Sequence, residues 1–566
     1  MSEQVPAMPD SMQPTSPQPP ATDRQSPVTG HRSPASCILH PASCIHSPIP
    51  HIARSAALVA LLFAADKLLG LVRDASISHA FGASAVLDAY YAAFELPDGL
   101  FTVVAGSAMA TALIPILSAR ITRGERGEVW RLVSAVVNLA LLLVAGVSVV
   151  AAVFAPHIIH AVAPGFDAER TALAARLMRL ALLQTLISST SGIAMSALQA
   201  HQHFLLPAAA PLCYTLGRIA GALLLAPRWS IFGLAWGGLA GTVGHLLIQV
   251  PGLVHYRARW WPTLRAPDLR AVLALMGPRV LGLGATYLNF VLPTFLGSRL
   301  PAGAISAYEY GWRLMQFPET IVGTALGLVV FPTLAERANA GDQEGLRRTA
   351  SWSLRLVLAL AVPAAVGLGV LGRPLTALFF QRGAFDASAT GRVAWALQFF
   401  ALGLVAHSAL EVVSRLFYAQ RDMWTPFWAA VGGLALNAGL GWLLLPFLAH
   451  GSIALSNSLG AGLQVGVLLW VAQRRLGGLN GRALGASLAR TALASALMGA
   501  AVVGFRALVP DAGLLITSVG GLAVGAVTYV LAALLAGSQE LRELPRLLFW
   551  RNKRVRNGHI VPPHER

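Results

Sequence analysis

The chain is short of charge and of cysteine, and it lacks the motifs of nucleotide, zinc-peptidase and serine-hydrolase chemistry. Only 12% of its 566 residues are charged and 55% are hydrophobic, whereas soluble domains carry about 25% charge. With a mean hydropathy of +0.62, that shortage excludes a soluble globular protein. Three cysteines, Cys37, Cys44 and Cys213, give no disulfide framework. There is no GxxxxGK(S/T) phosphate loop, no HExxH and no GxSxG, so ATP hydrolysis and metallo- or serine-hydrolysis are not expected. The chain reads as a transporter rather than an enzyme, with no cofactor and no metal. Cys37, His40, Cys44 and His46 lie close together in the N-terminal tail, but their spacing matches no standard zinc finger. No secretory h-region with a cleavage site precedes the first apolar run, which is expected to act as its own insertion signal.

What fills the chain instead is a series of apolar runs of about 20 residues, each long enough to cross a hydrocarbon core of roughly 30 Å. The predicted class is an all-α polytopic membrane protein. Fourteen spans are expected, at 55–80, 85–118, 129–154, 168–200, 208–226, 231–254, 271–298, 304–335, 350–371, 388–418, 424–446, 452–473, 483–507 and 512–536. The net charge of +17 does not point to nucleic acid, because arginines concentrate in alternate loops. Arg120 to Arg131, Arg257 to Arg270, Arg337 to Arg348, Arg415 with Arg421, and Arg474 to Arg482 fall on one side. The opposite loops hold only Arg170, Arg228, Arg299, Arg373, Arg382 and Arg506. By the positive-inside rule both termini are cytoplasmic, which requires an even number of spans.

Residues 1–54 hold eleven of the 34 prolines and read as a disordered cytoplasmic tail. The remainder is internally repetitive. Asp88…Glu95-Leu96-Pro97 aligns with Glu309…Gln316-Phe317-Pro318 at a shift of 221, and Ala200…Pro207 with Ala419…Pro426 at a shift of 219. Both proline motifs continue to a second one, Ile114-Pro115 and Phe331-Pro332. Two six-helix pseudo-repeat lobes are expected, 55–260 and 261–475, followed by two extra spans over 476–540 and a basic tail over 541–566. Repeats of this kind belong to transporters, with the substrate site between them.

Polar residues inside the apolar runs mark the candidate site. Lys67, Arg73, Asp88, Glu95, Asp98, Glu309, Arg313 and Glu319 fall in spans 1, 2 and 8. A charge at bilayer depth costs at least ~2.5–3.5 kcal/mol and normally faces a protein interior or a wet cavity. Lys67 and Arg73, six residues apart, lie roughly 120° from alignment on a helix, which suits a broad cavity wall. Cations from both lobes converging on one cavity suit phosphate or pyrophosphate, which guanidinium groups bind bidentately. Lys67, Arg73 and Arg313 are therefore the substrate-binding candidates. Asp88, Glu95 and Glu309 are candidates for gating or ion coupling, with simple helix-end polarity as the alternative. Pro97, Pro318 and Gly323 are candidate hinges, since proline removes a backbone hydrogen bond and bends a helix. Arg218, Arg279, His245 and His407 read as interface or packing residues.

Leu68-Leu-Gly-Leu-Val-Arg-Asp74, Phe81-Gly-Ala…Asp88-Ala-Tyr, Leu96-Pro97, Ala163-Pro-Gly-Phe166, Arg313-Leu-Met-Gln-Phe-Pro318, Arg382-Gly-Ala-Phe385 and Phe417-Tyr-Ala…Thr425-Pro426 together resemble the MurJ/MviN lipid II flippase family. That family belongs to the multidrug/oligosaccharidyl-lipid/polysaccharide exporter superfamily. The resemblance implies fourteen helices, two lobes around a cationic cavity, and a groove by the last two helices for a polyprenyl tail. It further implies movement of undecaprenyl-pyrophosphate-linked lipid II to the outer leaflet of the bacterial inner membrane, for peptidoglycan synthesis. Membrane lipids and synthesis enzymes would be its partners. The family's cavity cations map to Arg73 and Arg313, and to Lys67 where arginine is usual; its aspartate maps to Asp88. Where the family has an arginine after Leu-Pro and then a Glu-Gly pair, this chain has Phe101 and Gly106-Ser107. Outward movement of a pyrophosphate couples to membrane potential at ~2.3 kcal/mol per charge per 100 mV; a cation gradient is the other possible coupling. The rival readings are a flippase for another polyprenyl-linked glycan, a drug exporter, and a non-transporting scaffold.

Overall fold

A computed structural model describes residues 49–104, 107–510 and 512–543. The tails, with Cys37, His40, Cys44, His46 and the basic cluster after residue 543, lie outside the described residues, as does Gly106. Residues 1–56 form a unit of their own, of which only the start of the first helix is described; the unit from Ala57 onward holds the fold and the site.

Every described element is helical. The first set comprises α1 (Ile49–Phe81), α2 (Ala85–Val104), α3 (Ser107–Thr122), α4 (Arg126–Val153), α5 (Ala155–Val162), α6 (Ala168–Ala200), α7 (Leu205–Ala220), α8 (Ala226–Trp229), α9 (Ile231–Leu247) and α10 (Val250–His255). The second comprises α11 (Leu269–Gly297), α12 (Ala304–Glu319), α13 (Ala325–Asn339), α14 (Gln343–Phe380), α15 (Ala387–Ala419), α16 (Trp424–Leu448) and α17 (His450–Arg475). Two more, α18 (Gly481–Leu508) and α19 (Gly521–Leu535), follow. Wide π turns at Gly221–Leu225, Thr320–Thr324 and Ile516–Gly520 join α7 to α8, α12 to α13, and the entry to α19.

Eleven helices, counting those continued through a π turn as one, are long and apolar enough to cross a membrane among the described residues. The expected count was fourteen. The three expected spans missing from the eleven fall on α1, α2 with α3, and α11. Stretches of α1, α3 and α11 have side chains outside the described residues, and α2 carries Asp88, Glu95 and Asp98.

Helix starts are set by aspartates whose side chains accept the orphan N–H groups of the first turn. Asp167 accepts from Arg170 N at 2.8 Å, Asp342 from Gly345 N at 2.7 Å, and Asp386 from Ala389 N at 2.7 Å. These caps also expose the duplication. Asp167 and Asp386 begin α6 and α15, which are each 33 residues long and shifted by 219 at both ends. The same shift relates the starts of α7 and α16 and of α9 and α17. It also relates two backbone oddities, the left-handed Gln202 and Arg421 and the positive-φ Ser230 and Ala449. Close crossing of α7 and α9 depends on glycine: a Cβ on Gly221 would come within 2.9 Å of Gly237 Cα, and small residues let such backbones approach.

The two repeats share one hydrophobic core at one end and keep separate cores at the other. The shared core joins Ile77, Tyr90, Leu177 and Ile231 of the first repeat to Tyr310, Phe385, Phe400 and Ile453 of the second. Toward the basic loops, Leu113, Leu117, Trp130 and Ile193 form one cluster, with Val272 of α11, and Leu334, Leu346, Phe417 and Leu468 form another. At the shared end the connections are stitched by hydrogen bonds. Ala384 N donates to His79 O at 2.9 Å, Arg392 Nη2 to Ala83 O at 3.0 Å, and Gly165 N to Ser298 Oγ at 3.1 Å. The segment linking the repeats is strapped along α4. Asn138 Nδ2 donates to Trp261 O and Thr263 O at 2.8 and 2.9 Å and Asn138 Oδ1 accepts from Trp260 Nε1 at 3.0 Å. Arg120 then fastens the start of α11 through Asp268 at 2.6 Å.

Candidate functional site

The polar cluster sits where the shared core gives way to the separate ones. Along α2 and α3 the shared core ends at Phe94 and Leu96, Asp98 follows, and the next core begins at Met109. Along α12 the shared core ends at Met315 and the second repeat's own core begins at Val322. Arg313 occupies this junction.

Asp74 is the centre of the cluster. It is 5% exposed, and its carboxylate is shared by arginines of both repeats. Arg73 Nε donates to Oδ1 at 2.8 Å and Nη2 to Oδ2 at 3.1 Å, while Arg313 Nη1 donates to Oδ1 at 2.7 Å. Arg313 also reaches Glu309 Oε2 on its own helix at 3.5 Å, and its guanidinium lies 5.3 Å over the Tyr91 ring. The structure thus brings together Arg73, Arg313 and Glu309 of the sequence-derived set. Lys67 stays apart: it is exposed and makes no ion pair with any described residue. Two turns before Arg73, Asp66 accepts from Thr215 Oγ1 at 3.0 Å and ties α1 to α7.

The remaining candidates are built into contacts between the repeats. Asp88 caps α12 from across the interface. Its Oδ2 accepts from Gly303 N at 2.6 Å and its Oδ1 accepts from Ser306 N at 2.8 Å and Ser306 Oγ at 2.5 Å. Gly303, at φ +87°, turns the chain into the helix. A carboxylate against a helix N-terminus is stabilised by the orphan N–H groups and the helix dipole. Glu95, two turns further along α2, accepts from Thr294 Oγ1 at 2.6 Å and Tyr287 Oη at 3.4 Å on α11. Glu309 therefore belongs to the arginine cluster, whereas its repeat counterpart Asp88 closes the seam.

Pro97 lies inside α2, and its carbonyl accepts from Thr185 Oγ1 at 3.3 Å. Pro318 stands one residue before Glu319, after which the helix widens into its π turn. Gly323 lies in that turn, where a Cβ would come within 2.8 Å of Ser408 Cα on α15. Close approach of two helices requires glycine at that position. Near it, Arg415 pairs with Glu411 on α15.

Arg218 lies at the interface of α2 and α7, beside the arginine cluster. Its guanidinium donates to Tyr90 Oη at 3.0 Å and to Tyr214 Oη at 3.4 Å, and lies 5.5 and 5.6 Å over the two rings. Tyr90 is the neighbour of Tyr91, which seats Arg313. Arg73 and Arg313 with the carboxylates of Asp74 and Glu309, and Arg218 on the neighbouring tyrosine, thus gather at the junction, so the cluster is mixed in sign rather than purely cationic. The signal that was available is the doublet Tyr90-Tyr91, aromatic acceptors next to an intramembrane aspartate. His245, by contrast, is a packing group, bonded to Ser191 Oγ at 2.6 Å, and His407 bonds Asn457 Oδ1 at 3.0 Å. The side chain of Arg279 lies outside the described residues. No cluster of potential metal ligands occurs among the described residues.

An apolar groove of about 320 Å³ runs between α14, α15, α17 and the start of α18, lined by Leu358, Leu402, Val405, Val465, Leu469 and Leu484. Of the last two helices, only α18 contributes to it.

The family model for "Lipid II flippase MurJ" matches residues 77–552. The chain is 32% identical over 424 residues to the lipid II flippase MurJ of Burkholderia cenocepacia, covering 73% of this chain and 82% of that protein. It is 28% identical over 426 residues to the probable lipid II flippase MurJ of Haemophilus influenzae, with 71% and 82% covered. Among solved structures, one described as lipid II flippase MurJ in an inward closed conformation superposes with a TM-score of 0.72 at 22% identity, covering 84% of this chain and 98% of that one. An inward-facing multidrug resistance MATE family transporter of the MOP superfamily gives 0.62 at 14% identity, covering 74% and 96%. These two likenesses speak to the fold alone.

Proposed function

The chain belongs to the lipid II flippase MurJ family, and on that premise we propose that it carries lipid II from the cytoplasmic to the outer leaflet by alternating access. It is a transporter in a multi-pass membrane fold, not an enzyme. The observation that carries the reading is the bridge from Arg313 of one repeat to Asp74 of the other, at 2.7 Å, placed where the shared core ends. A pyrophosphate offers the arginines the same oxygen chemistry as the Asp74 carboxylate, with more charge and more acceptors. Arg73 and Arg313 would bind it, and exposed Lys67 would meet it on approach.

The direction of access is read from charge. The separate cores lie toward the arginine-rich loops, which the positive-inside rule assigns to the cytoplasm. The stitched seam of Asp88, Gly303 and Ser306 then closes the outer side, with both termini cytoplasmic in a bacterial inner membrane. Glu95 ties α2 to α11 and would part when the lobes rock. Pro97, Pro318 and Gly323 would supply the bends. The lobes would be 55–260 and 261–475, with spans 13 and 14 over 476–540 flanking the route of the polyprenyl tail. Membrane potential or a cation gradient would supply the driving force, and the peptidoglycan synthesis enzymes that use the product are candidate partners.

Complementation tests this reading. In a bacterium depleted of its own lipid II flippase, the chain is expected to restore growth, and Arg73→Ala or Arg313→Ala is expected not to, at equal membrane abundance. Growth supported by the alanine variants would remove the binding site proposed here. Failure of the unaltered chain, correctly inserted, would favour another polyprenyl-linked glycan or a scaffold role.

A further inference from the structure

Arg218 is the member of this cluster that has no carboxylate at hydrogen-bonding distance among the described residues. Arg73 and Arg313 both hold Asp74. Arg218 instead rests on two neutral phenols, Tyr90 Oη and Tyr214 Oη, and its buried Nε meets no acceptor at all. Tyr214 is itself held in place by Gln184 Nε2, 3.3 Å from its hydroxyl. Stacking on the two rings offsets part of the cost of a desolvated cation, but phenols do not neutralise it. Each Nη uses one hydrogen on a tyrosine, which leaves the second free for another acceptor.

The seat also has a position. Tyr90 and Tyr91 are consecutive on α2, their ring centroids 6.0 Å apart. One carries Arg218 from α7 and the other Arg313 from α12, each with its guanidinium carbon under 6 Å from the ring. One tyrosine pair therefore sets cations from both repeats beside each other at the end of the shared core. Resting on the reading given above, we propose that Arg218 binds an anionic group of the transported lipid, as a third guanidinium next to Arg73 and Arg313. The group is a phosphate of the diphosphate link or a carboxylate of the peptide headgroup. Both present the oxygen pair that a fixed guanidinium fork accepts.

Binding of two probes to the purified full chain in lipid nanodiscs tests this. The probes are undecaprenyl diphosphate, which has only the phosphates, and lipid II, which has the carboxylates as well. A hydrogen-bonded charge pair of this kind corresponds to about tenfold in affinity or more. Arg218→Gln is expected to weaken both probes at least tenfold if the phosphate is bound, or lipid II alone if the carboxylate is bound; either result supports the proposal. Arg313→Gln provides the comparison. If Arg313→Gln weakens binding and Arg218→Gln, with an unchanged melting temperature, does not, the proposal is overturned and the broader reading stands. If the unaltered chain binds neither probe, both fall. Should Arg218→Gln fail to fold, Arg218→Lys carries the test, because it keeps the charge but not the fork. Affinity several-fold below wild type supports the proposal, and affinity equal to wild type overturns it.

Discussion

Replacing Asp88 by asparagine is expected to loosen the seam between the repeats. The carboxylate takes three hydrogen bonds from the entry to α12: Gly303 N at 2.6 Å, Ser306 N at 2.8 Å and Ser306 Oγ at 2.5 Å. Asparagine keeps one acceptor oxygen, so the two Ser306 bonds survive in weaker form. Its amide nitrogen takes the place of Oδ2 and faces the Gly303 N–H, donor against donor. A hydrogen bond to a charged group is worth about 1.5–3 kcal/mol, and a carboxylate at a helix N-terminus adds roughly 0.3–1 kcal/mol. The seam should therefore lose about 2–4 kcal/mol, which at about 1.4 kcal/mol per factor of ten moves the closed-to-open ratio by roughly 30-fold to several hundredfold. Ala83 is 8% exposed and its carbonyl lies in the same seam, accepting from Arg392. With the three native cysteines replaced, a reporter cysteine at position 83 should react with maleimide at least tenfold faster in Asp88→Asn than in its parent. An unchanged rate in folded protein would refute the assignment of Asp88 to closure.

Other consequences are open to measurement. Asn138→Ala removes three hydrogen bonds from the strap that joins the repeats, a loss of about 1.5–4.5 kcal/mol at 0.5–1.5 kcal/mol each, and amide exchange across residues 257–265 should quicken. Gly323→Val forces a Cβ against the Ser408 backbone and should cost about 1–3 kcal/mol or more by overpacking, visible as a lower melting temperature. Asp422 titrates outside the spans. Burial alone would raise its pKa, but hydrogen bonds from the Thr425 side chain and backbone, and from Arg475, outweigh that and hold it at about 2. Its folded value lies below the ordinary 3.8, so its stabilising contribution is complete above that pH and is lost as pH falls toward 2. The wild-type melting temperature should therefore drop more steeply between pH 4 and pH 2 than that of Asp422→Asn; parallel curves would exclude the linkage.

Much of this architecture was legible because a bilayer enforces it. Helices must satisfy their own backbone in hydrocarbon, so apolar runs translate directly into α4, α6 or α14, and the repeat at a shift of 219 is visible in both sequence and caps. The charged helices were harder. Arg73, Asp74 and Arg313 stand out as expensive residues in apolar surroundings, but which carboxylate each arginine meets depends on how the repeats pack, and no local pattern encodes that. Asp88 and Glu309 share a repeat position yet serve different contacts, because Gly303 brings a helix N-terminus to one and Arg313 sits one turn from the other. The seat of Arg218 is hidden from the sequence for the same reason: the tyrosines that hold it come from α2 and from its own helix, 128 and 4 residues away.

The mixed sign of the cluster has a consequence for how a carrier of this design resets. A cavity lined only with arginines would hold a pyrophosphate tightly and release it slowly. Here Asp74 already occupies the oxygen position between Arg73 and Arg313, so on the proposed reading binding of the substrate would be an exchange of one anion for another. Removing one partner of a buried pair outright costs about 3–5 kcal/mol, whereas exchange leaves no arginine unpaired and requires only that the phosphate contacts exceed those to Asp74. On the outer side the carboxylate, held 2.8 Å from the neighbouring Arg73, remains in place to reclaim Arg313. Asp74→Asn separates this from a purely structural role. It removes the competing charge and should slow release, so that lipid II binds more tightly while growth in the complementation assay falls. A variant that binds more weakly, or one that grows normally with tighter binding, would show that release is not governed by the carboxylate.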